Sequence, residues 1–520
     1  MRAVKGLTLL WGIQRVKTTV CGQCAAHQSD RPLWEVTTLP DVPNPASPES
    51  RSPYFRPGDR VDLARLQREL HGLDCDVSLA GRERASADFH WYSPVLSTAL
   101  AGRLSDLVVR PRNVDEVIRV AAACVRHRVP LTVRGAGTGN YGQCVPLHGG
   151  VSLDMSALNR VIEIGEGWAR VQAGIVMHDL NEAARASGQQ LRMWPSTERI
   201  ATLGGFIAGG HSGIGSIRHG ILADPGNVRA LQVVTLEDPP RRVELLGADI
   251  QKAHHAYGTN GIIVEIDIAL TPSIDWQHLI ALFPDYPAAL RCGLEVGRRV
   301  CERSNANPFE IFQLSAVERR ITPYYDGLRE RLRDQDAIFA QAAPQSEALF
   351  EQLVRAAGGT VAVRGTESDL IAQGLPSATE CAYNHTTLQA LKTDRGVTYL
   401  QIAYPIPFNP NLVAEQCDRF GDEVLMHHEF SQAGGALTVF ALPLVRYFDE
   451  QQLRELIASF EADGCLVFDP HTWVLEDGGM KQVDELQLEF KLQADPLGLM
   501  NPGKVRAWDE RMLGIPGGTL

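Results

Sequence analysis

The sequence predicts an α+β protein of two or more lobes with extensions, and three observations carry that expectation. Its 520 residues exceed what one hydrophobic core usually organises. Residues 106–142 read as strand, helix, strand and glycine-rich loop. From about 273 to 440 helix and strand signals are mixed, and no second loop of that kind occurs.

Composition narrows the class. With 44% hydrophobic and 22% charged residues the chain is globular rather than disordered. Its 62 acidic against 50 basic residues give a net charge of −12 and no basic stripe, which argues against nucleic acid as a partner. No stretch reaches the roughly 18 to 20 apolar residues of a membrane span. Ten scattered cysteines are too sparse for a disulfide scaffold, so a reducing, cytoplasmic setting is expected. Cys21 and Cys24 have metal or redox spacing, but no second pair follows and no metal is expected. Arg2, Lys5, Arg15 and Lys17 precede the first acid, Asp30, and this basic extension leaves targeting open. Proline, serine and aspartate then mark a linker, so residues 1–60 are read as extension and linker.

Folding is expected to begin with a short amphipathic helix at 61–73. A polar stretch at 80–93 precedes a helical LSTALAG, and LVVRP reads as a strand. Asn113 with Glu116 three residues on offers a helix N-cap of the capping-box type. Val114, Val117, Ile118, Ala121, Ala122 and Val125 share one helical face, and Pro130 marks the end. The next strand, Leu131 and Val133, runs into Arg134, Gly135, Gly137, Gly139 and Gly142. A chain wrapped around a pyrophosphate must visit positive φ and present backbone N–H groups, so this loop suggests a dinucleotide cofactor.

A Rossmann unit fails on context. Gly137-Thr-Gly139-Asn-Tyr-Gly142 matches G-x-G-x-x-G, but that loop must open a helix facing the pyrophosphate. Here Pro146 and a strand-like 149–156 follow. Two strands joined by Gly165-Glu-Gly167 come next, then a helix closed by Gly188. A second glycine island spans 201–215, and its Leu203, Phe206 and Ile207 argue against a linker. An alternating strand ends this lobe: Val264, Ile266, Ile268 and Leu270 face one way, Glu265 and Asp267 the other.

In the remainder, 287–300, 315–334 and 347–358 are expected helices, while 397–405 and 436–443 are expected strands. The last part, from 441, returns to helices and a compact turn before a tail at 511–520.

Taken in order, these pieces resemble the vanillyl-alcohol oxidase and p-cresol methylhydroxylase (PCMH-type) FAD-binding family. The matching pieces are RGAGTGN (134–140), GGVSLDMSALNRV (149–161), VQAGI (171–175), PST (195–197) with ATLGGFIAGG (201–210), and YGTNGII (257–263). ADPLGLMNPGKV (494–505) looks like the C-terminal signature of the glycolate oxidase and D-lactate dehydrogenase-like branch. The resemblance implies a PCMH-type FAD-binding domain of two α/β subdomains at 61–272 and a second α+β substrate (cap) domain at 273–440. A C-terminal segment at 441–510 would return to the FAD domain.

It further implies that Arg134, Gly135, Ala136, Gly137, Thr138, Gly139 and Asn140, with Thr202, Gly204, Gly205, Gly209, Gly210, Ser212 and Gly213, hold pyrophosphate and flavin. Pro195, Ser196 and Thr197 would contact the ring system, and Ile262 and Ile263 its edge. Family members with covalent FAD commonly attach it through a histidine where this loop has Thr138, so noncovalent FAD is expected. His211 is the nearest alternative attachment point. The H-x-G-D-G-N-x-H metal cluster of the hydroxy-acid branch is not present, which puts a 2-hydroxy acid substrate in doubt.

Flavin oxidation of an alcohol needs a base near the hydroxyl. Tyr383 and His385, in Ala382-Tyr-Asn-His-Thr-Thr387, and His471 are the candidate catalytic residues. His427-His428-Glu429 could bind metal or act as base, but adjacent residues do not converge. Arg319, Arg320 and Tyr324 could hold a carboxylate. No G-x-S-x-G, H-E-x-x-H or Walker A lysine is found. The expectation is an FAD-linked oxidase or dehydrogenase acting on a small-molecule alcohol or hydroxy acid. The alternative is a flavoprotein subunit delivering electrons to an acceptor protein; self-association as a homo-oligomer stays open.

Overall fold

The computed structural model describes residues 54–59, 62–210, 212–302, 309–479, 481 and 483–518. The chain divides into two units, Met1–Pro53 and Tyr54–Leu520, and all described residues belong to the second. The expectations for Cys21, Cys24, the basic extension and His211 lie outside the described residues.

The first sheet contains β1 (Cys75–Asp76), β2 (Leu107–Val109), β3 (Leu131–Arg134) and β4 (Val151–Asp154), in the order β1-β2-β4-β3. Both β2 and β3 run parallel to β4. Parallel neighbours need a crossover, and the helix Val114–His127 supplies it. Asn113 caps this helix through Glu116 N–H at 2.9 Å, and Glu116 reaches back to the Arg112 N–H. Val117, Val120, Ala121, Ala123 and Cys124 are fully buried, so the packed face is rotated towards Val120 and Cys124 relative to the expected stripe. The other edge of the sheet is sealed from the far end of the chain: Leu131 N–H donates to Leu499 O and Asn501 N–H to Leu131 O, both at 2.9 Å. The 494–505 turn thus covers β3, an edge that would otherwise present unpaired backbone.

The second sheet is antiparallel. It comprises β5 (Val161–Gly165), β6 (Trp168–Gln172), β7 (Gln189–Leu191), β8 (Val228–Val234), β9 (Arg242–Leu246) and β10 (Ile262–Pro272), with β10 paired to β6, β7 and β8. A register shift between Ile263 and Glu265 breaks the simple alternation. Ile262 and Val264 pack with the first sheet's core, whereas Ile263, Ile266, Ile268 and Leu270 pack with the second's.

Downstream lie β11 (Gln277–Phe283), β12 (Ile311–Val317), β13 (Asp336–Ala342), β14 (Thr360–Gly365), β15 (Val397–Tyr399), β16 (Gln401–Ala403), β17 (Val424–Leu425), β18 (His427–Ala433), β19 (Ala436–Ala441), β20 (Leu444–Arg446) and β21 (Leu466–Phe468). Eight of these form one sheet in the order β14-β11-β13-β12-β18-β19-β16-β21, and β15, β20 and β17 form a small one. The helix Tyr286–Cys301 packs on the large sheet.

Two expectations are corrected here. The charged stretch 315–334 is not a helix: its first residues end β12, Pro323 interrupts, and only Arg329–Leu332 is α-helical. The run 397–405 is two strands in different sheets, broken at Leu400.

Gly150, at the entry to β4, has φ +78°, and a Cβ there would collide with the Pro130 carbonyl. Gly150→Ala is therefore expected to destabilise the chain by about 2–3 kcal/mol, read as a lowered midpoint in thermal or urea unfolding.

Candidate functional site

The first glycine loop is held from behind by its own arginine. The Arg134 guanidinium donates to the carbonyls of Arg84 (2.6 Å), Ala87 (3.2 Å), Gly135 (3.2 Å) and Ala136 (3.1 Å). Its role is to shape the loop through these four carbonyls. Asn501 Nδ2 donates to the carbonyls of Gln143 and Tyr257, both at 2.7 Å, and Lys504 Nζ to Gly142 O at 2.6 Å. Lys504 is fully buried, and loss of solvation pulls its ammonium down to about 7. Between these anchors the amides of Gly135 to Asn140 donate no hydrogen bond among the described residues, although the loop is partly buried. Gly137 adopts φ +69°. A run of unpaired, half-buried amides is a ready set of donors to phosphate oxygens, so the loop fits a pyrophosphate.

The second island takes a different form from the first. Leu203–Gly209 is a helix capped by Thr202, and its first amides are already used: Leu203 donates to Ile175 O, Gly204 to Ala173 O and Gly205 to Thr202 Oγ1. Its glycines allow close packing rather than donation. A Cβ at Gly135 would fall on the Thr202 hydroxyl, so the two glycine segments meet there. Pro195, Ser196 and Thr197 are half-buried in the turn leading to Thr202; Ala201 N–H donates to Thr197 O. Ser212 is half-buried beside the buried Gly213. Ile262 is fully enclosed by apolar side chains of the first core, and Ile263 is nearly so in the second.

Tyr383 and Asn384 bring the large sheet to both segments. The Tyr383 hydroxyl donates to Gly213 O at 2.8 Å, and Asn384 Nδ2 donates to Asn140 Oδ1 at 3.3 Å. Tyr383 has φ +50° and ψ −139°, a conformation costly for a tyrosine and held by its bonds. Its N–H donates to the Glu429 carboxylate at 2.7 Å, and Ser431 Oγ lies 3.5 Å from its hydroxyl. Glu429 is 1% exposed, and burial raises its carboxyl above the usual range.

His385, next on the helix Asn384–Thr393, turns instead to Glu380, with Nδ1 3.1 Å from the carboxylate. Both His471 nitrogens are engaged: Nδ1 with Ser93 Oγ at 2.7 Å and Nε2 with Tyr399 O at 3.1 Å. Burial lowers His471 to about 4, so it is neutral at pH 7, donating to Tyr399 O and accepting from Ser93. Arg319 is bound to Asp336 and Arg320 to Glu318 and Asp422. His427 and His428 lie on opposite faces of β18, both buried; His428 Nδ1 meets Tyr286 at 2.7 Å. Sequence reasoning set Glu429 aside with its histidine neighbours, did not raise Ser431, and took Asn384 only as part of the 382–387 cluster. The signal for the first two was the alternation His427, Glu429, Ser431, which places all three on one strand face. No group of three or more metal-ligating side chains occurs among the described residues.

Residues 105–238 match the FAD binding domain family. The chain is 32% identical over 196 residues to glycolate oxidase subunit GlcD of Bacillus subtilis, covering 36% of this chain and 41% of the relative. It is 40% identical over 168 residues to D-2-hydroxyglutarate dehydrogenase of Escherichia coli, covering 31% and 15%. The chain thus matches less than half the length of these relatives. Among solved structures, alkyldihydroxyacetonephosphate synthase aligns with TM-score 0.65 and 14% identity over 86% of this chain and 87% of the other. A 4-ethylphenol oxidase from Gulosibacter chungangensis aligns with TM-score 0.59 and 17% identity over 85% and 96%. These two share the fold.

Two predictions follow from the anchors. Arg134→Leu leaves four carbonyls without their donor and is expected to cost about 2 kcal/mol or more, measured by denaturant unfolding. His471 is proton-poor in the fold relative to the usual 6.5, so its contribution to stability is present above pH 6.5 and lost as pH falls towards 4. His471→Gln, which can keep both partners, should flatten the melting-temperature profile across that window.

Proposed function

Residues 105–238 match an FAD binding domain, and from that premise we propose that the chain is an FAD-linked oxidoreductase of the PCMH type acting on a small alcohol or hydroxy acid, with noncovalent FAD. The observation that carries this reading is the convergence of Tyr383 and Asn384 on both glycine segments. When bound, FAD supplies a two-electron acceptor that takes hydride from the substrate carbon. The unpaired amides of Gly135 to Asn140 would bind the pyrophosphate, and Tyr383 would fix the second segment against the substrate side. Thr138 in the first loop supports a flavin held without a covalent bond.

A second reading, electron delivery to an acceptor protein, is favoured by the Bacillus subtilis relative being one subunit of a glycolate oxidase. A cytoplasmic setting is supported by the eight cysteines among the described residues being free thiols.

Purified protein should show flavin absorbance, release FAD into the supernatant on acid precipitation, and bleach anaerobically with an alcohol or hydroxy acid. A colourless protein that takes up no FAD would overturn the proposal. Reoxidation by a dye or partner protein but not by air would favour the second reading.

A further inference from the structure

Gln313 and Ser315 on β12 and His427, Glu429 and Ser431 on β18 alternate onto one buried face of the large sheet. This face meets Tyr383, and neither strand contains a lysine or arginine. Glu429 Oε1 accepts the Tyr383 N–H and lies 2.9 Å from His427 Nε2. Gln313 Oε1 and His427 Nδ1 are buried without a hydrogen-bond partner among the described residues. A buried polar atom left without a partner is unfavourable unless a ligand satisfies it. The face therefore offers an acid and unpaired polar atoms, and neither strand brings a lysine or arginine to it.

Resting on the oxidoreductase reading above, we propose that this face binds the hydroxyl of an uncharged alcohol, that Glu429 accepts the hydroxyl proton, and that His427 is a positioning residue for Glu429. The O–H bond breaks and its proton passes to the carboxylate. The oxygen pair forms the C=O bond as the carbinol hydrogen leaves as hydride to the flavin. A 2-hydroxy acid would place a second negative charge beside a buried carboxylate, which is unfavourable in a low-dielectric site. Burial also makes the Glu429 anion form at higher pH than an exposed glutamate. The groups bearing on it are His427 from its own strand, Tyr383 from the helix start, Gln313 from β12 and Tyr325. The rate of flavin reduction should thus climb with pH through the raised Glu429 pKa.

The test uses the flavin-loaded full chain and pairs matched in carbon skeleton: ethylene glycol with glycolate, propane-1,2-diol with lactate, and 1-phenylethane-1,2-diol with mandelate. Anaerobic bleaching should favour the diols by about tenfold or more in kcat/KM. Glu429→Gln, which keeps an acceptor for Tyr383 N–H, should lower diol kcat/KM by about 10²-fold or more and abolish the rising pH limb. Flavin content and melting temperature report whether that variant folds. His427→Asn should lower kcat more than it raises KM and shift the limb. Calorimetry with oxalate, which is not oxidised, should show binding tightened about tenfold in Glu429→Gln, since a like charge is removed. Faster bleaching by the acids, with oxalate affinity and pH profile unchanged in Glu429→Gln, would overturn this proposal and leave the oxidoreductase reading standing. Bleaching by no member of any pair, with oxalate bound equally by both proteins, would overturn both.

Discussion

The Arg134 fork is the constraint on which the rest of the site depends. A guanidinium with five donors in a rigid plane can satisfy several carbonyls at once. Here it takes the carbonyls of residues 84, 87, 135 and 136, which fixes the backbone direction of the loop. With the carbonyls occupied on one side, the amides of Gly135 to Asn140 are left unpaired among the described residues. Water alone would suit an exposed loop, but a half-buried row of donors is better matched to an anion.

That loop is in turn held by the end of the chain. Leu499 and Asn501 bond to Leu131, and Asn501 and Lys504 reach the carbonyls of Gln143, Tyr257 and Gly142. Sealing a sheet edge and fixing the loop are done by the same short turn. From the other side, Tyr383 and Asn384 connect the large sheet to both glycine segments, so the polar strand face of Glu429 is placed next to the loop system rather than in a separate lobe.

Much of the leading lobe was legible in the sequence because its signals are local: Asn113 and Glu116 cap a helix, Pro130 ends it, and positive φ in the loop demands glycine. The C-terminal turn was legible only as a motif; its contact with β3 joins residues far apart in sequence. The form of the second glycine island was not legible from its glycine content, because glycine also permits the close packing of a helix, and Leu203–Gly209 is one. The stretch 315–334 misled because charge density mimics a solvated helix, whereas Arg319 and Arg320 serve ion pairs to Asp336 and Glu318. His471 and His385 drew attention as titratable residues, yet their nearest partners are Ser93, the Tyr399 carbonyl and Glu380. Glu429 was set aside together with its histidine neighbours because adjacent residues do not converge, whereas pairing across strands, not sequence adjacency, decides which side chains share a face.

The central claim is that the amides of the Arg134 to Asn140 loop are the cofactor's phosphate donors. Hydrogen–deuterium exchange of the full chain, stripped of flavin and then reloaded with FAD, tests it most directly. Strong added protection confined to the peptide carrying Gly135 to Asn140, with the Leu203–Gly209 helix amides changing little, is the predicted result. Unchanged exchange at that loop on FAD binding would contradict the account.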